Sequence, residues 1–148
     1  MLEDLEVEYH GTPVPWGDLP PVLREDAFRA TVAEAVADCA PEVEVVGYEC
    51  REPPCLAMVR APAERAWWDA LVVDCPPWVD AYGVGAVGGA RRATCADGHQ
   101  EVFQLVGWSP QLVEPEGGYP TEEAENRVKR LAARTDEIAR SWRCAEGD

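Results

Sequence analysis

The sequence predicts an α+β domain, a four-stranded antiparallel sheet from two hairpins with helices packed on one face, in the order α-ββ-α-ββ-α. Three observations predict it. Two pairs of short apolar runs, Val43–Glu49 with Leu56–Val59 and Arg91–Cys95 with Glu101–Trp108, are each joined by a compact turn. Three longer stretches carry apolar residues at three- and four-residue steps, the period of a helix with one buried face. Finally, 47% hydrophobic residues and six tryptophans in 148 positions supply the core of a single domain of this length.

The first hairpin organises the chain. β-branched and aromatic residues in Val43–Glu49 favour a strand. Pro53 and Pro54 cannot donate ladder hydrogen bonds, so the strand stops before them. The loop Arg51–Pro54 leaves Cys50 facing Cys55. Facing residues in a hairpin stand about 4.5–5.5 Å apart at Cα, within the roughly 4.4–6.8 Å a disulfide spans. So short a bridge is worth only about 2 kcal/mol in the chain-entropy account; its larger effect is to fix register and stiffen the tip. Redox-active pairs are usually C-x-x-C at a helix N-terminus, whereas here the spacing is C-x4-C in a turn. The structural reading is favoured over a thiol-redox pair.

The run YECREPPCLAMV resembles a hairpin of many uncharacterised bacterial proteins, with the pattern C-[RS]-x-x-[PL]-C followed by apolar residues. The upstream TPVPWGDLPPVLRE and Cys39 are also similar to some of them, so the resemblance covers Thr12 to Arg60. Those proteins generally carry the hairpin after an export or membrane-anchor segment. The resemblance implies an extracytoplasmic α+β domain; it implies no activity and no catalytic residue. Met1-Leu-Glu-Asp has neither a charged n-region nor an apolar h-region, and no run is long enough to span a bilayer. The chain therefore reads as a domain whose export segment has been removed, with a cytosolic thiol protein as the alternative.

A net charge of −15 argues against nucleic acid, whose phosphates need clustered cations, and against anionic membrane surfaces. It favours hydration and solubility, with a basic protein partner as the second reading.

In chain order, Met1–Pro21 is an acidic, then proline-rich extended arm with Trp16 tucked against the body; a ligand for a proline-reading module is the lesser reading. The single stapled domain is Val22–Asp148. Val22–Cys39 is helical, with Phe28, Val32, Ala35, Val36 and Cys39 on one stripe and Pro41 beyond its end. Ala61–Asp74 is a second helix with Pro62 in its first turn. Its inner face carries Trp67, Trp68, Leu71, Val72 and Cys75, and Pro76-Pro77 ends it. Adjacent tryptophans cannot both point fully inward, so one covers the core edge or meets a partner.

Gly83, Gly85 and Gly88 spell G-x-G-x-x-G. A dinucleotide site needs that turn to open a helix, but the Asp97-Gly98 turn signal follows too soon. A glycine-rich strand or bulge is the better account. Glu101–Trp108 is almost continuously apolar, which suits a central strand covered on both faces. After the acidic Gly/Pro linker Glu114–Pro120, Thr121 is expected to cap a long helix. Its seam is Ala124, Val128, Leu131, Thr135, Ile138 and Trp142, packed on its own domain in preference to dimerising. Acid-first pairs Glu123–Arg127, Glu125–Lys129 and Asp136–Arg140 would decorate it.

Six cysteines allow fifteen pairings. With Cys50–Cys55 set aside, the elements make Cys75 with Cys95 and Cys39 with Cys144 plausible partners; the latter would close a loop of about a hundred residues, worth roughly 4 to 5 kcal/mol. Zinc is disfavoured because Cys95 and His99 straddle a turn with no C-x-x-C knuckle beside them. Hydrolytic chemistry is thinly provided: His10, His99, Ser109 and Ser141 lie in no G-x-S-x-G or H-E-x-x-H surroundings, and a Cys95–His99 nucleophile pair is the weakest reading. The sequence thus points to no catalytic residue, metal or cofactor. It reads as a non-catalytic protein-binding or assembly module, monomeric or weakly dimeric, periplasmic or extracellular. Arg51, Glu52, Pro53, Pro54, Trp67 and Trp68 are its candidate contact surface. The alternatives are a cytosolic acidic adaptor or inhibitor of a basic partner, and a small thiol-redox protein using Cys50 and Cys55.

Overall fold

A computed structural model describes residues 12–61, 66–142 and 144 of the chain. The first half of the arm, His10 and Pro62 therefore lie outside the described residues. A 3-10 turn at Pro21–Leu23 leads into helix α1 (Glu25–Cys39), then strands β1 (Glu44–Glu49) and β2 (Leu56–Arg60). Two short helices follow, α2 (Ala66–Val72) and α3 (Pro76–Tyr82), before strands β3 (Val87–Thr94) and β4 (Gln100–Gly107). A second 3-10 turn, Pro110–Val113, precedes the long helix α4 (Thr121–Ser141).

The four strands form one antiparallel sheet in the order β1-β2-β4-β3. The expected α+β class and sheet are present, with β4 in the interior. Both inner strands are apolar at consecutive positions, so neither face of the sheet is polar and both must be covered. Ala57, Val59 and Val106 pack against Phe28, Trp67, Leu71 and Trp78 of α1–α3. Leu56, Phe103 and Leu105 on the opposite face pack against Ile138 of α4. The helices thus flank two faces, where the sequence suggested one. The reason lies in β2 and β4: a half-buried sheet alternates, and these strands do not.

Helix α2 stops at Val72, short of the expected Asp74, and Pro76 and Pro77 begin α3, which the sequence did not separate. Proline is well suited to the first helical positions because its missing N–H has no intrahelical acceptor there. Trp78 and Tyr82 turn inward from this extra helix, with ring centroids 4.8 Å apart. Fully burying a side chain of this kind stabilises by about 2–3 kcal/mol. The Trp78 indole N–H donates to the Gly85 carbonyl at 2.8 Å, fixing the glycine run to the helix. The run itself enters β3. Gly88, at φ 129°, pairs with Val106, and a Cβ there would overlap the Leu105 carbonyl oxygen. This is the glycine-rich strand the spacing favoured, and no helix opens from it.

Three disulfides join the chain: Cys39–Cys75, Cys50–Cys55 and Cys95–Cys144. The hairpin bridge is the expected one, with Cα atoms 4.4 Å apart. The other two correct the expected Cys75–Cys95 and Cys39–Cys144 pairings. Cys39 and Cys75 are brought together because α1 packs on α2 and α3. Helix α4 crosses the far face of the sheet, so its end arrives at Cys95 beside the β3–β4 turn and not at α1. Near it, the Trp142 ring stacks on Phe103 with centroids 3.9 Å apart.

Candidate functional site

The hairpin tip and helix α4 meet through two acid–arginine pairs. Glu49 ends β1 and Glu52 lies in the tip; Arg130 and Arg134 are four apart on α4 and so share a face. Arg134 donates to Glu49 Oε2 from Nε at 2.9 Å and from Nη2 at 2.6 Å. It also donates to the carbonyl oxygens of Pro53 at 3.4 Å and Pro54 at 2.5 Å, across a cis Pro53–Pro54 bond. Arg130 donates to Glu52 Oε1 from Nη2 at 2.5 Å, and Glu52 Oε2 accepts the Val14 amide at 3.0 Å. Arg134 is only 2% exposed and Glu52 only 3%. Buried ions persist only when paired and hydrogen-bonded in this way.

Beside these pairs lies a cleft of about 310 Å³. One wall is α4, with Ala124, Val128, Leu131 and the stems of Arg127 and Arg130; the others are the tip, Val14, and the Pro110–Tyr119 segment. Arg127 is held by Glu123 at 3.1 Å and by the Tyr119 ring, whose centroid is 4.1 Å from the guanidinium carbon. Burial pushes the Tyr119 phenol above its ordinary pKa, so it stays protonated. Val128 is 70% exposed at the rim and Leu112, on the neighbouring turn, is 45% exposed. The cleft therefore combines apolar walls, arginines paired with carboxylates, an exposed Glu114 and an uncovered apolar rim. Such a surface can hold an apolar side chain on an extended backbone. Among the described residues, its lining contains no serine, histidine or cysteine.

The expected contact residues are distributed differently from the sequence reading. Arg51 is the exposed member of the tip and pairs with both Glu49 and Glu137. Glu52, Pro53 and Pro54 are buried beneath α4, so they form the floor of the cleft and not a free tip. Trp67 is buried in the α1–α3 layer. Trp68 packs edge-on to it at 5.6 Å and covers the margin of that core. These tryptophans do not join the cleft. Val128 departs from the expected seam and faces solvent; Thr121 opens α4 without capping it through its side chain, because Pro120 holds the cap position. Ser109 caps the second 3-10 turn and Ser141 donates to the Glu137 carbonyl, both structural roles. Sequence reasoning missed Arg130 and Arg134. The spacing carried no signal for them: Arg130 and Arg134 stand four apart between Arg127 and Glu137, as residues of a solvated face do.

No family model, no curated protein and no solved structure matches the chain. Among the described residues, no helix is long and apolar enough to cross a membrane.

Proposed function

We propose that this is a non-catalytic protein-binding module of the periplasm or cell exterior, which receives an extended segment of a protein partner in the cleft beside α4. The observation that carries this reading is the cleft itself: apolar, about 310 Å³, with walls fixed by buried ion pairs and an exposed Val128 on its rim. A recess lined by apolar groups with a few placed polar ones is the usual form of a binding site. Rigid walls lower the ordering cost of association. Three disulfides support the compartment, since such bonds persist where thiols are not kept reduced. The likeness of the YECREPPCLAMV hairpin to extracytoplasmic bacterial domains supports it too.

A second reading has its own observation. The charge of −15 would steer a basic partner to any part of the surface, with binding that weakens steeply as salt rises. For the thiol-redox alternative, Cys55 is fully buried and Cys50 only partly so, which leaves the Cys50 sulfur as the one point of entry for exchange.

Peptide-display selection on the intact protein tests the proposal. Selected peptides should perturb NMR signals of Val128, Leu131 and Tyr119 and lose binding at least tenfold with Val128→Glu. Peptides that bind elsewhere, unaffected by Val128→Glu, would sink it.

A further inference from the structure

A different corner of the molecule carries a metal-binding chemistry independent of the cleft. Cys95 directly follows β3, the Asp97-Gly98 turn reverses the chain, His99 directly precedes β4 and Glu101 is its second residue. The hairpin fixes this geometry: the Cys95 amide donates to the His99 carbonyl at 2.7 Å. Ligand atoms of Cys95, His99 and Glu101 lie within 4.8 Å of one another. The Cys144 sulfur is bonded to that of Cys95, so a fourth donor stands at the same point. Asp97 accepts from the His99 amide at 3.0 Å and contacts Nδ1 of its ring. A carboxylate at Nδ1 selects the tautomer whose Nε2 carries the lone pair, the arrangement that orients metal-binding imidazoles.

We propose that reduction of the Cys95–Cys144 bridge turns this corner into a zinc site formed by Cys95, Cys144, His99 and Glu101. Two thiolates, an imidazole and a carboxylate are a normal tetrahedral set for Zn²⁺. With Zn–S near 2.3 Å, tetrahedral geometry puts the two sulfurs about 3.8 Å apart, a short opening from a disulfide. Cys95 and Cys144 are buried while the His99 side chain is about half exposed, which leaves the ion a route in. Glu101 already accepts from Arg60 at 2.7 Å and from the Trp142 indole at 3.1 Å, both at Oε1. Those donors hold its carboxylate in place, and the metal competes with them.

The chemistry balances with a dithiol as reductant. Thiolate attack cleaves the Cys95–Cys144 bond, the dithiol closes to its own disulfide, and its two protons pass to the cysteine sulfurs. Zinc then displaces those two protons as the thiolates bind. The ion takes over the cross-link between β4's hairpin and the end of α4, so the corner stays tied in either redox state.

Cobalt, a spectroscopic substitute for zinc, tests the site on the full-length protein. The oxidised protein should take up no Co²⁺ through sulfur. After treatment with a dithiol, confirmation by mass of the opened bridge and anaerobic removal of the reductant, one equivalent should bind with thiolate-to-cobalt absorption that Zn²⁺ abolishes. His99→Ala keeps all three disulfides, so its folding is checked before reduction; reduced, it should bind at least tenfold more weakly. Asp97→Asn, which touches no metal, should weaken binding about 10–100-fold. Absence of sulfur-to-cobalt absorption in the reduced protein, or affinity unchanged in His99→Ala, overturns the proposal.

Discussion

Arg134 of α4 and Glu49 of β1 are joined by two hydrogen bonds at 2.6 and 2.9 Å, with Arg134 2% exposed. The pair links the last helix to the first strand across 85 residues of sequence. It also places three further donor contacts on the Glu49, Pro53 and Pro54 carbonyls, so one guanidinium determines where the hairpin tip stops.

Removing Arg134 leaves the buried Glu49 carboxylate with only the exposed Arg51 as a charged partner and strips the Pro53 and Pro54 carbonyls of their donor. Arg134→Met should therefore destabilise the oxidised protein by about 3–5 kcal/mol, measured by urea unfolding. The double change Arg134→Met with Glu49→Leu should recover a substantial part of that loss, because the buried carboxylate, left with only the exposed Arg51, is removed together with its main partner. A single-variant loss below about 1 kcal/mol, the scale of exposed pairs, would mean that the guanidinium is solvated in solution.

Glu52 ties three segments at once: Arg130 of α4, the tip, and the Val14 amide of the N-terminal arm at 3.0 Å. Glu52→Gln keeps the shape and removes the charge. It should accelerate hydrogen exchange at the Val14 amide at least tenfold and lower stability by about 1.5–3 kcal/mol. Unchanged exchange at Val14 would show that the arm is held by other contacts, the Trp16 indole on the Cys50 carbonyl at 3.2 Å being the nearest candidate.

The bridges differ in the loops they close, with sequence separations of 36, 5 and 49. Paired Cys→Ala changes should cost about 4 kcal/mol for Cys39–Cys75 and for Cys95–Cys144, against about 2 for Cys50–Cys55. Urea titrations of the three double variants give the order. A larger loss from the hairpin bridge than from either long one would contradict the chain-entropy account.

Val128 is 70% exposed and touches none of the buried pairs. Val128→Glu should change stability by less than about 0.5 kcal/mol while abolishing capture of cleft-selected peptides. Equal peptide binding by the variant would locate the contact surface elsewhere.

What could be read in advance followed the range of the interaction. Cys50–Cys55 is local, so turn length and proline placement were enough to find it. Cys39, Cys75, Cys95 and Cys144 pair according to which face of the sheet each helix covers, and residue spacing does not record that. Pro76-Pro77 reads as a stop in the sequence; its role as the start of α3 depends on Trp78 and Tyr82 finding a core on the far side. The arginines of α4 were harder still. Glu123–Arg127, four apart on one helix, was visible as a pair and is present at 3.1 Å. Arg130 and Arg134 look like the same kind of solvated residue until Glu52 and Glu49, about eighty positions upstream, come to lie beneath them. The candidate cleft inherits this: its floor was singled out in the sequence as a tip, whereas its α4 wall required the fold.

The most direct measurement is a thiol count on the protein isolated from its own cells, quenched in acid and unfolded without reductant in the presence of an alkylating agent. Three intact bridges predict no alkylated cysteine before reduction and six after it. Six alkylated cysteines before reduction would show a thiol protein of a reducing compartment, and the stapled binding module would be the wrong description of this molecule.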